Sequence, residues 1–133
     1  MVRQSAEPFL AKANESLAGA DRELAARAYN NAANRAYYAC FQAAVALLIE
    51  LQQYGSPGER HNHAEVWAKL NTKAIRQRKL LQSDFASRIQ ELVGSRQDAD
   101  YGETHVTERK ARRAATLAAE FVGAVKACLA RQS

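Results

Sequence analysis

Arg96-Gln97-Asp98-Ala99-Asp100-Tyr101-Gly102 is the stretch of this chain whose residue types best suit chemistry on a phosphate. Arg96 continues an apolar stripe: Leu81, Phe85, Ile89 and Leu92 precede it at spacings that keep to one helix face. A guanidinium in that position stays charged and must meet a carboxylate, a helix C-terminus, water in a cleft or a phosphate. With a phosphate, Arg96 would stabilise transition-state charge, Tyr101 would donate a proton or orient a phosphate oxygen, and Asp98 or Asp100 would orient Arg96. The plainer arrangement has Arg96 neutralise the last carbonyls of its own helix and pair with an aspartate, while Tyr101 packs on a neighbouring helix. Spacing alone leaves both open.

Three other polar groups deserve the same treatment. Arg35, Tyr38 and Gln42 recur at three and four residues and so share a helix face, suited to bordering a ligand cleft or to forming a solvated edge. Arg109, Arg112 and Arg113 form a basic stripe close in sequence to the Arg96 segment. It would track a polynucleotide backbone through salt-sensitive phosphate contacts, or simply face water. Arg60-His61-Asn62-His63, with His105 the only other histidine, is a poor match to a metal-ligand pattern; a helix N-cap region or a surface loop explains it more simply, and no metal site is assigned. No glycine-rich phosphate loop, Ser-His-Asp order or acidic metal cluster is visible, and no cofactor is expected.

The elements that must position these residues read as helices throughout. Ser5 to Arg27 forms a first helix with Phe9, Ala13, Leu17, Ala20 and Leu24 as its stripe. Asn30 to Gln53 forms a second, apolar over so wide an arc that it belongs at the centre of a bundle. Gly55-Ser56-Pro57-Gly58 breaks the chain. A third helix runs from Asn62 to Arg76, with Ala64, Trp67, Leu70 and Ala74 on one side. A fourth opens near Gln82 or Ser83 and ends near Ser95 or Arg96, leaving Asp98 to Gly102 as a polar loop. Thr107 caps the last helix, whose stripe is Ala111, Ala115, Ala118, Phe121 or Val122, Val125 and Leu129. The expected fold is all-α, an up-and-down bundle of about five helices in a single domain spanning 1–133.

Composition fits that reading. Glycine and proline are scarce and alanine abundant, which favours helix. The net charge of +5 and the pI of about 9.5 point to an anionic partner such as RNA, DNA or a nucleotide. Cys40 and Cys128 sit on apolar helical stretches and read as small buried hydrophobes, not as a disulfide pair or zinc ligands. No signal peptide is read at the N-terminus, and Ala43 to Leu51 is too short to span a bilayer. A cytoplasmic protein without membrane association is expected.

The run Asn34-Arg35-Ala36-Tyr37-Tyr38-Ala39-Cys40-Phe41-Gln42-Ala43-Ala44 resembles the second-helix signature of HEPN (higher eukaryotes and prokaryotes nucleotide-binding) domains. His61 or His63 opening helix three, the Arg96 to Gly102 segment and the last helix through Phe121-Val122 follow in that family's order. The resemblance implies a bundle that dimerises, bringing two fourth-helix motifs around a shared cleft. It also implies metal-independent endoribonuclease activity of the kind found in toxins encoded beside a minimal nucleotidyltransferase antitoxin. The family's catalytic arginine is followed after four to six residues by a histidine. Arg96 takes the arginine's place, but the residue five positions on is Tyr101, and His105 comes nine positions on. A phenol, with an ordinary pKa near 10, is a poor base at neutral pH but a competent hydrogen-bond donor.

The expected function is therefore RNA or nucleotide binding by a homodimer, as the toxin component of a prokaryotic toxin–antitoxin or defence system, with Arg96, Tyr101, Asp98 and Asp100 carrying any RNA cleavage. Arg35, Tyr38, Arg109, Arg112 and Arg113 would contact the RNA or nucleotide. The alternative is a non-catalytic partner of a nucleotidyltransferase, presenting a nucleotide or being modified itself, with Tyr101 as the acceptor. A third reading is a purely structural dimer with Arg96 sealed by an aspartate.

Overall fold

The computed structural model describes residues 6–52, 62–101 and 105–132, with the backbone alone at 95, 98–101 and 132. The described residues are helical, without a strand: α1 (Glu7–Ala25), α2 (Tyr29–Glu50), α3 (His63–Lys69) continuing into a π-helical segment (Leu70–Gln77), α4 (Phe85–Tyr101) and α5 (Glu108–Gln132). This is the expected all-α bundle, with α2 at its centre. Helix α2 packs against α1, α5, α4 and α3, and from Ala43 to Ile49 every side chain is buried. Its alanines make this possible, since a helix without bulk on several sides lets its neighbours lie close. No described helix is long and apolar enough to cross a membrane.

Helix α1 uses a rotated face. Its buried residues are Ala13, Ser16, Gly19 and Ala20, while Phe9, Leu17 and Leu24 are only half-buried. These small residues of α1 face α2, where the Ser16 hydroxyl donates to Gln42 Oε1 at 2.7 Å and Gly19 lies beside the Arg35 side chain. The turn into α2 is a Schellman motif: Ala28 N–H reaches the Glu23 carbonyl at 2.9 Å and Arg27 N–H the Leu24 carbonyl at 3.0 Å. Arg27, at φ 62°, holds the left-handed position that glycine usually fills.

Two expectations about helix boundaries are corrected. The third helix does not run as one α-helix to Arg76; after Lys69 it widens into π geometry, closed by Arg78 N–H on the Lys73 carbonyl at 3.1 Å. The buried face of the two segments is Val66, Leu70, Ala74 and Ile75, with Ala64 exposed and Trp67 half-buried. The fourth helix does not stop at Arg96 but continues through Tyr101, so the backbone of 98–101 is helical and not a loop. Gln97 and Ala99 are good or tolerable helix formers, and Gly102 follows Tyr101 in the sequence.

The last helix follows the sequence closely. Thr107 Oγ1 accepts from Lys110 N–H at 3.2 Å, and Ala111, Ala115, Ala118, Phe121, Val122, Val125 and Leu129 are all buried. Cys40 and Cys128 are free and buried, and burial pushes both thiols up.

Candidate functional site

Where α2, α3 and α4 meet, four aromatic side chains, a histidine and an arginine form one cluster. Helix α2 supplies Tyr37, Tyr38 and Phe41, α3 supplies His63 and Trp67, and α4 supplies Arg96. Each position follows from local structure. On α4, Phe85, Ile89 and Leu92 are buried, and Arg96 continues their stripe to where the core thins, so its side chain is half-buried. His63 is the first residue of α3, set by Asn62, whose Oδ1 caps the helix by accepting from Glu65 N–H at 3.1 Å.

The guanidinium rests against the α2 tyrosines. Its carbon lies 5.1 Å from the Tyr37 ring centre and 5.9 Å from that of Tyr38, within cation–π range, and Nη2 approaches the Tyr38 hydroxyl at 3.4 Å. His63 sits against the same pair, its ring 5.7 Å from Tyr37 and 6.1 Å from Tyr38. On its other contacts it stacks on Phe41 with ring centres only 4.0 Å apart. The Tyr37 hydroxyl is the hub: it lies 2.6 Å from His63 Nδ1 and accepts from the Trp67 indole N–H at 3.2 Å.

Electrostatics follow from this packing. Burial pushes the Tyr37 phenol above its ordinary range, so it keeps its proton. His63 is pushed below its ordinary range, first by burial and then by the Arg96 charge, so it is neutral at physiological pH. The cluster thus presents one fixed positive charge, a neutral imidazole and phenolic hydroxyls at a half-exposed seam. That set suits an anion with acceptor oxygens.

The sequence-derived candidates divide between this cluster and other surfaces. Arg96 and Tyr38 come together in it. The side chains of Asp98, Asp100 and Tyr101 lie outside the described residues. Arg35 does not join; it is exposed on the α1 side, lining a shallow groove with Ser16, Gly19 and Gln42. The row Arg35, Tyr38, Gln42 is therefore split, because Gln42 is held by Ser16 on α1 whereas Tyr38 reaches α4. Arg109, Arg112 and Arg113 are exposed on a separate groove between α4 and α5. There Arg112 pairs with Glu108 at 2.9 Å and Arg113 with Glu91 at 2.9 Å.

His105 also lies elsewhere. Its Nδ1 is 3.3 Å from Asn30 Nδ2, and Asn30 Oδ1 accepts from Val106 N–H at 2.8 Å, fixing this segment to the first turn of α2. Asn30 is eight residues from Tyr38, roughly 12 Å along the helix axis. Tyr29 adds a 2.7 Å hydrogen bond to Glu108, which pushes the phenol up and the carboxyl down. Among the described residues, no three His, Cys, Asp or Glu side chains group as metal ligands do.

Sequence reasoning missed His63, Tyr37 and Trp67 as members of the site. His63 attracts notice as half of a weak metal pattern and as a residue opening the third helix in the family resemblance, and Tyr37 as part of the second-helix signature, but neither is assigned to a site. The usable signal was chemical: a tyrosine and a tryptophan on core faces each carry a polar atom that requires a partner.

The model of the HEPN domain family matches residues 6–128. No curated protein matches the chain. The chain belongs to the HEPN domain family, and at the family level its function is nucleotide- or RNA-related.

Proposed function

Because the chain is a HEPN domain, we propose that it binds the phosphate of an RNA or nucleotide at Arg96, in a cleft completed by a second copy of the chain. In this reading it is the toxin component of a prokaryotic toxin–antitoxin or defence system and cleaves RNA without a metal. The observation that carries the reading is the Arg96 guanidinium, half-buried on the Tyr37 and Tyr38 rings with a neutral His63 against the same rings. A guanidinium seated on aromatic faces is preorganised and loses little freedom when it takes up a phosphate.

In the cleavage reaction, the ribose 2′-oxygen forms a bond to the adjacent phosphorus and the bond to the 5′-oxygen breaks. The 2′-hydroxyl proton passes to solvent water, and the departing 5′-oxygen takes one up from Tyr101 or from water, with Tyr101 reprotonated from solvent. Arg96 stabilises the charge that builds on the pentacoordinate phosphorus. Tyr101 supplies a proton or a hydrogen bond, with Asp98 and Asp100 in support. Arg109 extends a backbone track on α5, where the contributions of Arg112 and Arg113 are reduced by their carboxylate partners.

A second reading has one specific support, the tyrosine at position 101 where the family motif carries histidine. Here the chain is the non-catalytic partner of a minimal nucleotidyltransferase, and Tyr101 is the phenolic acceptor or ligand contact. The deciding experiment is RNA cleavage in the presence of chelator by the wild type and Arg96→Ala. Cleavage by the wild type that is lost in Arg96→Ala supports the first reading. Cleavage that survives the substitution removes Arg96 from the mechanism, and absence of cleavage with stable co-purification of a nucleotidyltransferase supports the second.

A further inference from the structure

The hydrogen bonds around Tyr37 fix where the protons sit. An indole N–H is a donor only, so the Trp67 contact at 3.2 Å places Tyr37 Oη in the role of acceptor. Tyr37 is 2% exposed, and among the described residues the only acceptor in reach of its own proton is His63 Nδ1, at 2.6 Å. The phenol therefore donates to Nδ1. A neutral imidazole whose Nδ1 accepts carries its proton on Nε2. Nε2 lies across the ring from the tyrosine hydroxyl, and the ring is half exposed. Stacking on Phe41 at 4.0 Å and the edge contact with Tyr38 hold the ring plane, so the direction of that N–H is fixed as well.

We infer that His63 is the second phosphate donor of the Arg96 site, presenting an Nε2–H whose tautomer is set by the Trp67–Tyr37 relay. The inference rests on the reading of Arg96 as a phosphate site and adds a residue from a different helix to it. His63 is chemically suited to this role and unsuited to the role of base: with Nδ1 occupied by Tyr37 and Nε2 protonated, it has no lone pair to offer a ribose hydroxyl. Its neutrality follows from the burial and the Arg96 charge that push it below its usual range, and the raised Tyr37 phenol keeps the proton it donates. A histidine on α3 thus does not replace the histidine missing after Arg96. It shares with Arg96 the task of holding the anion.

The test combines a tautomer measurement with binding. Long-range proton–nitrogen NMR of the free, full-length protein is expected to show His63 protonated at Nε2 and bare at Nδ1; a proton on Nδ1 overturns the inference at once. Binding of a short fluorescent single-stranded RNA is then compared among wild type, Arg96→Ala, His63→Gln and His63→Asn. Glutamine places an amide N–H near the Nε2 position, whereas asparagine reaches only the Nδ1 position. His63→Gln is expected to bind within about threefold of wild type and His63→Asn about tenfold more weakly, the loss of one hydrogen bond to a charged group. Equal binding by wild type and His63→Asn, with Arg96→Ala weakened, overturns the inference while leaving the Arg96 reading intact. Unchanged binding by Arg96→Ala overturns the phosphate site itself, and the donor role of His63 with it. Circular dichroism and urea midpoints of the His63 variants separate loss of donor from loss of fold.

Discussion

Two regions carry arginine on helix surfaces, and they treat it differently. At the α2–α3–α4 seam, Arg96 is half-buried, pressed on two tyrosine rings and flanked by a neutral histidine. On the α4–α5 surface, Arg112 and Arg113 are exposed and each has a carboxylate partner, Glu108 one turn away and Glu91 across the helix pair. By sequence the second region looks like the stronger phosphate site, since it has more cations close together. Its partners and its solvent exposure cancel much of that advantage, because exposed pairs are screened and weak. In the proposed reading, Arg96 on its two tyrosine rings is the more selective anion receptor.

The largest expected effect breaks this contrast if it is wrong. Arg96→Ala should weaken binding of single-stranded RNA by roughly 30-fold, the equivalent of about 2 kcal/mol, because a desolvated charged contact is removed. Arg113→Ala should weaken it by about threefold or less and mainly reduce the salt dependence. Fluorescence anisotropy at two salt concentrations checks both; equal losses would mean that the two regions bind alike.

The next effect concerns the scaffold of the seam. Tyr37→Phe removes the buried hydroxyl that serves both Trp67 and His63, leaving an indole N–H and an imidazole nitrogen of half-buried rings without it. Urea unfolding should show a loss of about 1–3 kcal/mol with an unchanged slope. A loss below about 0.5 kcal/mol, the usual range for a surface change, would show that the hub does not hold the seam together.

How far the seam was readable from the sequence depends on the distance each residue spans. The central placement of α2 was legible because alanine and large apolar residues cover much of its circumference, and α5 was legible because Thr107 and the stripe from Ala111 to Leu129 are local signals. Arg96 was legible as a charge in an apolar register. The partnership of His63 with Tyr37 was not, since it joins residues 26 apart across a glycine- and proline-bearing segment and no periodicity encodes it. The π-helical turn was hidden for a similar reason: Val66, Leu70 and Ala74 fit an α-helical pattern as well as a wider one. The polar run after Arg96 reads as a loop because Asp98 and Asp100 have modest helix propensity, yet the backbone continues helical through Tyr101. The basic stripe was legible as charge, but its carboxylate at Glu91 comes from another helix.

A smaller effect separates the regions by pH. His63 titrates below its unfolded value, so between the two values the unfolded chain binds the extra proton and the native one resists it. Among the described residues, the titratable or charged groups facing its ring are Tyr37 and Tyr38 from α2 and Arg96 from α4, beside the neutral Phe41, and none of these supplies a negative charge at neutral pH. Its contribution to stability is therefore complete above about pH 6.5 and is lost as the pH falls through the histidine range towards the folded value. The difference in urea midpoint between pH 7.5 and pH 5.5 should shrink in His63→Gln relative to the wild type. An unchanged difference would mean that His63 charges in the folded protein without cost.

The smallest effect belongs to the α4–α5 surface. Arg113 and Glu91 are both exposed, and an exposed pair of this kind contributes about 0–1 kcal/mol after the entropy of fixing two long side chains. A double-mutant cycle on Arg113→Ala and Glu91→Ala should give a coupling within that range, falling further in high salt. Removing Glu91 alone has a second consequence: it frees the Arg113 charge without unsettling the fold. If the carboxylates are what weaken this surface as an anion site, Glu91→Ala should bind RNA more tightly than the wild type at low salt. Should it bind no better, the difference between the two regions lies in the aromatic seat of Arg96, not in the neutralisation of its rivals.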